Sequence, residues 1–143
     1  MREHTGGAVS WDVFIFDAPS DATSVDQIPQ GFRPPPLGAG PAIRQRLHDS
    51  VRGLDLSDPA WGRLDGPTWS IELNIGSKDP VDSIMLHVRG SGDDVLTAIA
   101  QIAASVGGRA LDLSTGEFLT GARGEAAGWH GFQRYRDQNL PGN

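Results

Sequence analysis

The sequence predicts an α+β protein, a two-layer sandwich in which a mostly antiparallel sheet of four to five strands carries two helices on one face. Three observations lead there. The 143 residues suit a single compact domain, placed at 10–140. Five short segments have the apolar or alternating pattern of strands, and two longer ones repeat apolar residues at helical spacing. In chain order they read β-α-β-β-β-α-β, and without the short strand at 61–64 this becomes the β-α-β-β-α-β order of a ferredoxin-like split unit.

Each element has its own warrant. Residues 1–9 show no periodicity and are expected to be a disordered leader. "WDVFIFD" (11–17) is aromatic and β-branched, with Val13 and Ile15 on one face and Phe14 and Phe16 on the other. A strand apolar on both faces belongs in the middle of a sheet. Residues 18–40 contain five prolines and no period, which predicts a stiffened loop wrapped over the core; "RPPPL" is too isolated to read as a polyproline ligand. "PAIRQRLHDSVRG" (41–53) starts on a proline suited to the first helical turn, and aligns Ile43, Leu47 and Val51.

Residues 61–76 read as two strands about an Asp65-Gly66 turn, the second alternating Trp69, Ile71, Leu73 and Ile75 with polar residues. After the 77–82 turn, "SIMLHVRG" places Ile84, Leu86 and Val88 on one face and Met85, His87 and Arg89 on the other. Val95, Leu96, Ile99, Ile102, Ala103 and Val106 form one helical stripe that stops at Gly107-Gly108. "RALDLSTGEFL" (109–119) reads as a strand, a "STGE" turn and a last short strand. Over 128–143 the pattern weakens to a short docked helix through Trp129 and Phe132.

Composition narrows function. A net charge of −6 disfavours nucleic acid and anionic membranes, which select clustered positive charge. The absence of cysteine removes thiolate metal sites, disulfides and cysteine nucleophiles, and fits a reducing compartment. With no membrane-span-length apolar run and a polar start, "MREHTGG", a cytoplasmic location is expected.

Few residues point to chemistry. "RGSGDD" (89–94) sits between strand and helix like a phosphate loop, but lacks the G-x-G-x-x-G spacing. Ser91 and Asp94 instead read as a capping box, and the Asp93 and Asp94 carboxylates would repel phosphate. If the strands flanking 77–82 pair, Glu72 lies across from His87 or Arg89, as an ion pair and as a minimal acid–base couple. Asp112 joins Glu72 and His87 if its strand is a neighbour. Glu72, His87, Arg89 and Asp112 are therefore the candidate binding residues, with no catalytic set specified. His4, His48, His87 and His130 are too scattered for a metal site, and neither metal nor cofactor is expected.

"SWDVFIFDAP", "RPPPLG", "DPAWGRLDGPTWSIELNIG", "VDSIMLHVRG" and "LDLSTGEFL" together resemble a family of small bacterial proteins, over roughly residues 10–119. That resemblance implies no activity, cofactor or catalytic residue. The expected function is that of a non-enzymatic cytoplasmic protein that binds another macromolecule, regulatory or immunity-like by its size and charge. Its partner would be a protein, or a second copy docked through the open sheet face or edge. The alternative is a small-molecule binder or weak hydrolase built on Glu72, His87 and Arg89.

Overall fold

A computed structural model describes residues 9–120 and 127–139. Apart from Val9, the predicted leader lies outside them. The elements are β1 (Trp11–Phe16), α1 (Gly40–Ser50), β2 (Asp55–Asp58), β3 (Trp61–Asp65), β4 (Trp69–Asn74), β5 (Ser83–Gly90), α2 (Val95–Val106), β6 (Arg109–Asp112), β7 (Glu117–Phe118) and α3 (Ala127–Asn139). The protein is α+β; the described residues form three α-helices and an open, fully antiparallel sheet in the order β2-β3-β4-β5-β1-β6-β7.

Among the described residues, the expected count of four to five strands, the two helices and the β-α-β-β-β-α-β order are corrected to seven strands, three α-helices and β-α-β-β-β-β-α-β-β-α. The difference comes from additions at the margins. "DLSD" is too polar and too short to register as a strand, yet it pairs with β3 as the outermost strand. The 13-residue α3 has only Trp129 and Phe132 as prominent apolar positions, too few to show a full helical stripe. Two crossovers organise the sheet: the one through α1 runs from β1 past β5, β4 and β3 to the edge strand β2, and the one through α2 runs from β5 past β1 to β6.

Register explains the two faces. Val13 lies opposite Leu86 and Asp112, Trp11 opposite Val88, Ile71 opposite Val88, and Leu73 opposite Leu86. These residues share one face, and Ile43 and Leu47 of α1, Ile99 and Ile102 of α2 and Trp129 of α3 close over it as the main core. Burying a Leu or Ile side chain contributes about 1.5–3 kcal/mol, so this face dominates the stability. On the other face, Phe14, Phe16, Leu111 and Phe118 meet Ala18, Ala22, Ile28 and Phe32 of the proline-rich segment. The loop thus wraps the sheet on the side away from the helices. The Arg109 guanidinium lies 4.3 Å above the Phe118 ring and also donates to the Pro19 carbonyl.

The "RGSGDD" joint has a different role from the capping box predicted for it. Asp94 gives α2 no side-chain cap; its Oδ2 accepts from Trp69 Nε1 at 2.9 Å. Asp93 Oδ1 lies 2.9 Å from His130 Nε2, Gly92 O accepts from Trp129 Nε1 at 3.1 Å, and Gly90 O accepts from Arg136 Nη1 at 2.6 Å. Three of those contacts go to α3, so the loop is the seat of that helix. At the start of α1, Asp79 Oδ1 accepts from the Gly40 N–H at 2.9 Å, a cap supplied from 39 positions away.

Both sheet margins are blunted. The loop bonds to the β6–β7 turn through Val25 N to Gly116 O and to β7 through Phe118 N to Thr23 O. Along β2, Asp55 Oδ1 accepts from the N–H and hydroxyl of Ser57, and Asp58 Oδ1 from the Ala60 N–H. Charged, self-bonded side chains on a short edge strand discourage strand addition. The Ser57 hydroxyl and N–H also hold the Asp55 carboxyl below its ordinary range. A group lowered in the folded state stabilises above its unfolded pKa, and that contribution fades as pH falls through the lowered value. In Ser57→Ala the Asp55 titration, followed by NMR, should move back up toward the ordinary range; an unchanged titration would refute the assignment.

Gly128 has a tighter constraint. A Cβ there would overlap Asp112 Oδ2, whereas one at Gly131 meets nothing closer than Arg134 Nη2 at 3.8 Å. Gly128→Ala should therefore destabilise by about 1–3 kcal/mol, the scale of overpacking. Gly131→Ala should be neutral or stabilise by up to about 1 kcal/mol through helix propensity. Urea unfolding of the pair decides the matter: equal effects would show that α3 does not seat on Asp112.

Candidate functional site

Only part of the second sheet face is covered by the loop. Across β3, β4, β5 and β1 runs a row of directly opposed polar residues: Arg63 faces Glu72, Glu72 faces His87, and His87 faces Asp12. The Leu113 N–H donates to the Asp12 carbonyl at 3.2 Å, which carries the row on toward the β6–β7 turn. Strand alternation makes this row: each polar residue follows a core residue (Ile71, Leu86, Trp11), so burial of one face lifts the next side chain onto the other.

Within the row the charges sort into two sets. Arg89 Nη1 donates to Glu72 Oε1 at 2.8 Å, and Arg63 Nη1 lies 3.7 Å from Glu72 Oε2. Arg63 Nε also donates to Asp65 at 3.1 Å. His87 Nδ1 lies 2.9 Å from Asp12 Oδ1, which also accepts from the Ser10 hydroxyl at 2.6 Å. The other side of the imidazole is covered by the Trp61 ring, with centroids 6.1 Å apart and planes inclined by 24°. Trp61 itself is 45% exposed. Such pairs are partly solvated, so each contributes about 0–1 kcal/mol, and their value is in fixing the pattern of charge the face presents.

The structure brings Glu72, His87 and Arg89 onto one face, and Glu72 is taken by Arg89. The carboxylate beside His87 is Asp12, which the sequence reading passed over because it sits in an aromatic strand that looks wholly structural. Its polar character between Trp11 and Val13 was the available signal.

Asp112 does not join them. It points to the helix side, 2% exposed, where its Oδ1 accepts from Trp11 Nε1 at 3.0 Å and from the Ser114 N–H and hydroxyl at 2.8 and 2.6 Å. Adjacent strand residues point to opposite faces, and Asp112 is in register with Val13, not with Asp12. Its place is structural: it binds the β6–β7 turn and Trp11, and Trp11 in turn packs 5.2 Å from the Trp129 ring.

As chemistry, the face holds an oriented imidazole and three cation–carboxylate contacts, Arg89–Glu72, Arg63–Glu72 and Arg63–Asp65. Among the described residues no hydroxyl or amine nucleophile bonds to His87, and no group of three or more His, Asp or Glu is gathered as for a metal ion. None of the helices described is long and apolar enough to cross a membrane. No protein-family model, curated protein or solved structure matches this chain.

Because a carboxylate only accepts, the neutral His87 ring must carry its proton on Nδ1. Long-range ¹H–¹⁵N NMR should find that tautomer in the native chain and a loss of the preference in Asp12→Ala. A dominant Nε2–H form in the native protein would contradict the pairing.

Proposed function

We propose that this chain is a non-enzymatic cytoplasmic protein that works by binding another protein, in a regulatory or immunity-like role, through the uncovered half of its sheet. The observation carrying this reading is the division of the second face: the loop covers its Phe14–Phe16–Phe118 end, while the Trp61–Arg63–Glu72–His87–Asp12 end stays open. An exposed tryptophan amid paired charges is the composition of an interaction face, where an aromatic anchor is ringed by polar contacts. The blunted edges favour docking on the face over strand addition. With −6 net charge, a basic partner is electrostatically preferred to a second acidic copy.

The hydrolase alternative loses its support as first drawn, since Glu72 is committed to Arg89. What remains for it is the Asp12–His87 couple, with no nucleophile hydrogen-bonded to His87 among the described residues.

A photo-crosslinking residue at position 61 tests the proposal against a control at Gln45, on the exposed side of α1. In native cell extract, position 61 should give one discrete protein adduct, and position 45 none. The adduct should fall about tenfold or more with Asp65→Asn and Glu72→Gln together, the carboxylates this end offers to a basic partner. No adduct at 61, equal labelling at both positions, or an adduct only with itself would overturn the proposal.

A further inference from the structure

At the Asp12 end the open face runs into a cleft of about 570 Å³ between the start of β1, the β6–β7 turn and α3. Its walls are unusual for this surface. Leu113 (48% exposed) and Tyr135 (60% exposed), two of the four large apolar or aromatic side chains most open to solvent among the described residues, both line it. Trp11 and Phe132 form its apolar base. Asp12 enters from the sheet side, and both of its side-chain hydrogen bonds, from Ser10 and His87, fall on Oδ1. Among the described residues its Oδ2 has no hydrogen-bond partner, and no described residue lining the cleft is a lysine or arginine.

We infer that this cleft receives a single arginine or lysine side chain from the protein partner. A long aliphatic stem ending in a cation matches the sequence of surfaces it would meet: Leu113 and the Phe132 edge along the stem, then Tyr135 and the open Asp12 oxygen at the head. A guanidinium suits it better than an ammonium, because a planar cation can lie on the tyrosine ring while donating to the carboxylate. The net charge of −6 adds a long-range attraction for the same class of group. The occupant follows from charge complementarity: a hydrophobic side chain would desolvate Asp12 Oδ2 without giving it a hydrogen bond, and an acidic one would be repelled by the carboxylate. This inference rests on the protein-binding reading above and assigns that partner its contact residue.

The test uses the whole chain and small probes, so it does not depend on finding the partner. Nα-acetyl-arginine methylamide, the lysine analogue and the uncharged citrulline analogue are titrated while ¹H–¹⁵N spectra are recorded. The arginine probe should produce saturable shifts centred on Asp12, Leu113, Thr115, Phe132 and Tyr135, with the lysine probe weaker. The citrulline probe should bind about tenfold or more weakly, the scale of losing one member of a charge pair. Asp12→Asn and, separately, Tyr135→Ala should each weaken the arginine probe, and thermal unfolding shows that each variant remains folded. Equal binding of citrulline, shifts spread over the acidic surface, or indifference to both variants would overturn the cleft assignment and leave the crosslinking result at Trp61 standing. Saturable arginine binding without any adduct at position 61 would instead remove the protein partner and with it the assigned occupant.

Discussion

Everything in this molecule is arranged around a strand that cannot face water on either side. In β1, Trp11, Val13 and Ile15 need one cover, and Phe14 and Phe16 need another. Helices meet the first need, because the crossovers through α1 and α2 return to the same side of the sheet and bury the wider apolar surface. The chain meets the second with its proline-rich segment, where restricted φ angles lower the entropy lost on holding a loop against aromatics. That loop reaches only the end of β1 where the phenylalanines are. Asp12 needs no cover, and the sheet beyond it stays open.

A second dependence links the chain's two ends. Asp112, buried in the helix-side face, fixes the indole of Trp11 and the β6–β7 turn, and Gly128 lets α3 come against its carboxylate. The same helix is held at its other contacts by backbone carbonyls of the β5–α2 joint. A buried carboxylate is costly unless its lone pairs are used, so removing Trp11 or Ser114 would expose that cost more than removing an apolar neighbour of equal size. The cleft beside Tyr135 exists only because α3 is held there.

Much of the fold was legible because period and burial agree. The alternation in "WSIELN" and "SIMLHVRG" and the stripe in α2 each identify an element, and their shared polar face follows from pairing through one turn. What stayed hidden was set by contacts distant in sequence. Strand β2 is strand-like only because β3 lies beside it. Ser91 and Asp94 have the spacing of a capping box, yet the helix begins only at Val95, and the Asp94 carboxylate is taken by Trp69 while the Ser91 backbone is tied to Thr68. Asp112 looked equivalent to Glu72 and His87 as a polar residue in a strand, and a one-residue difference in register puts it on the other side. Asp12 was hidden by its aromatic surroundings, though its face was already implied by that of Val13.

The topology also has a consequence in time. Trp11 is paired with Val88, 77 positions later, and its ring partner is Trp129. At a synthesis rate of about 5–20 residues per second, the interval before the first pairing partner of β1 appears is on the order of 4–15 s. Throughout that interval "WDVFIF" is a nascent segment with two sticky sides and no sheet to join, and only the loop that follows it is at hand to shield the phenylalanines. By its position in the chain alone, the proline-rich segment is made next after the phenylalanines that it covers in the folded sheet, long before their strand partners.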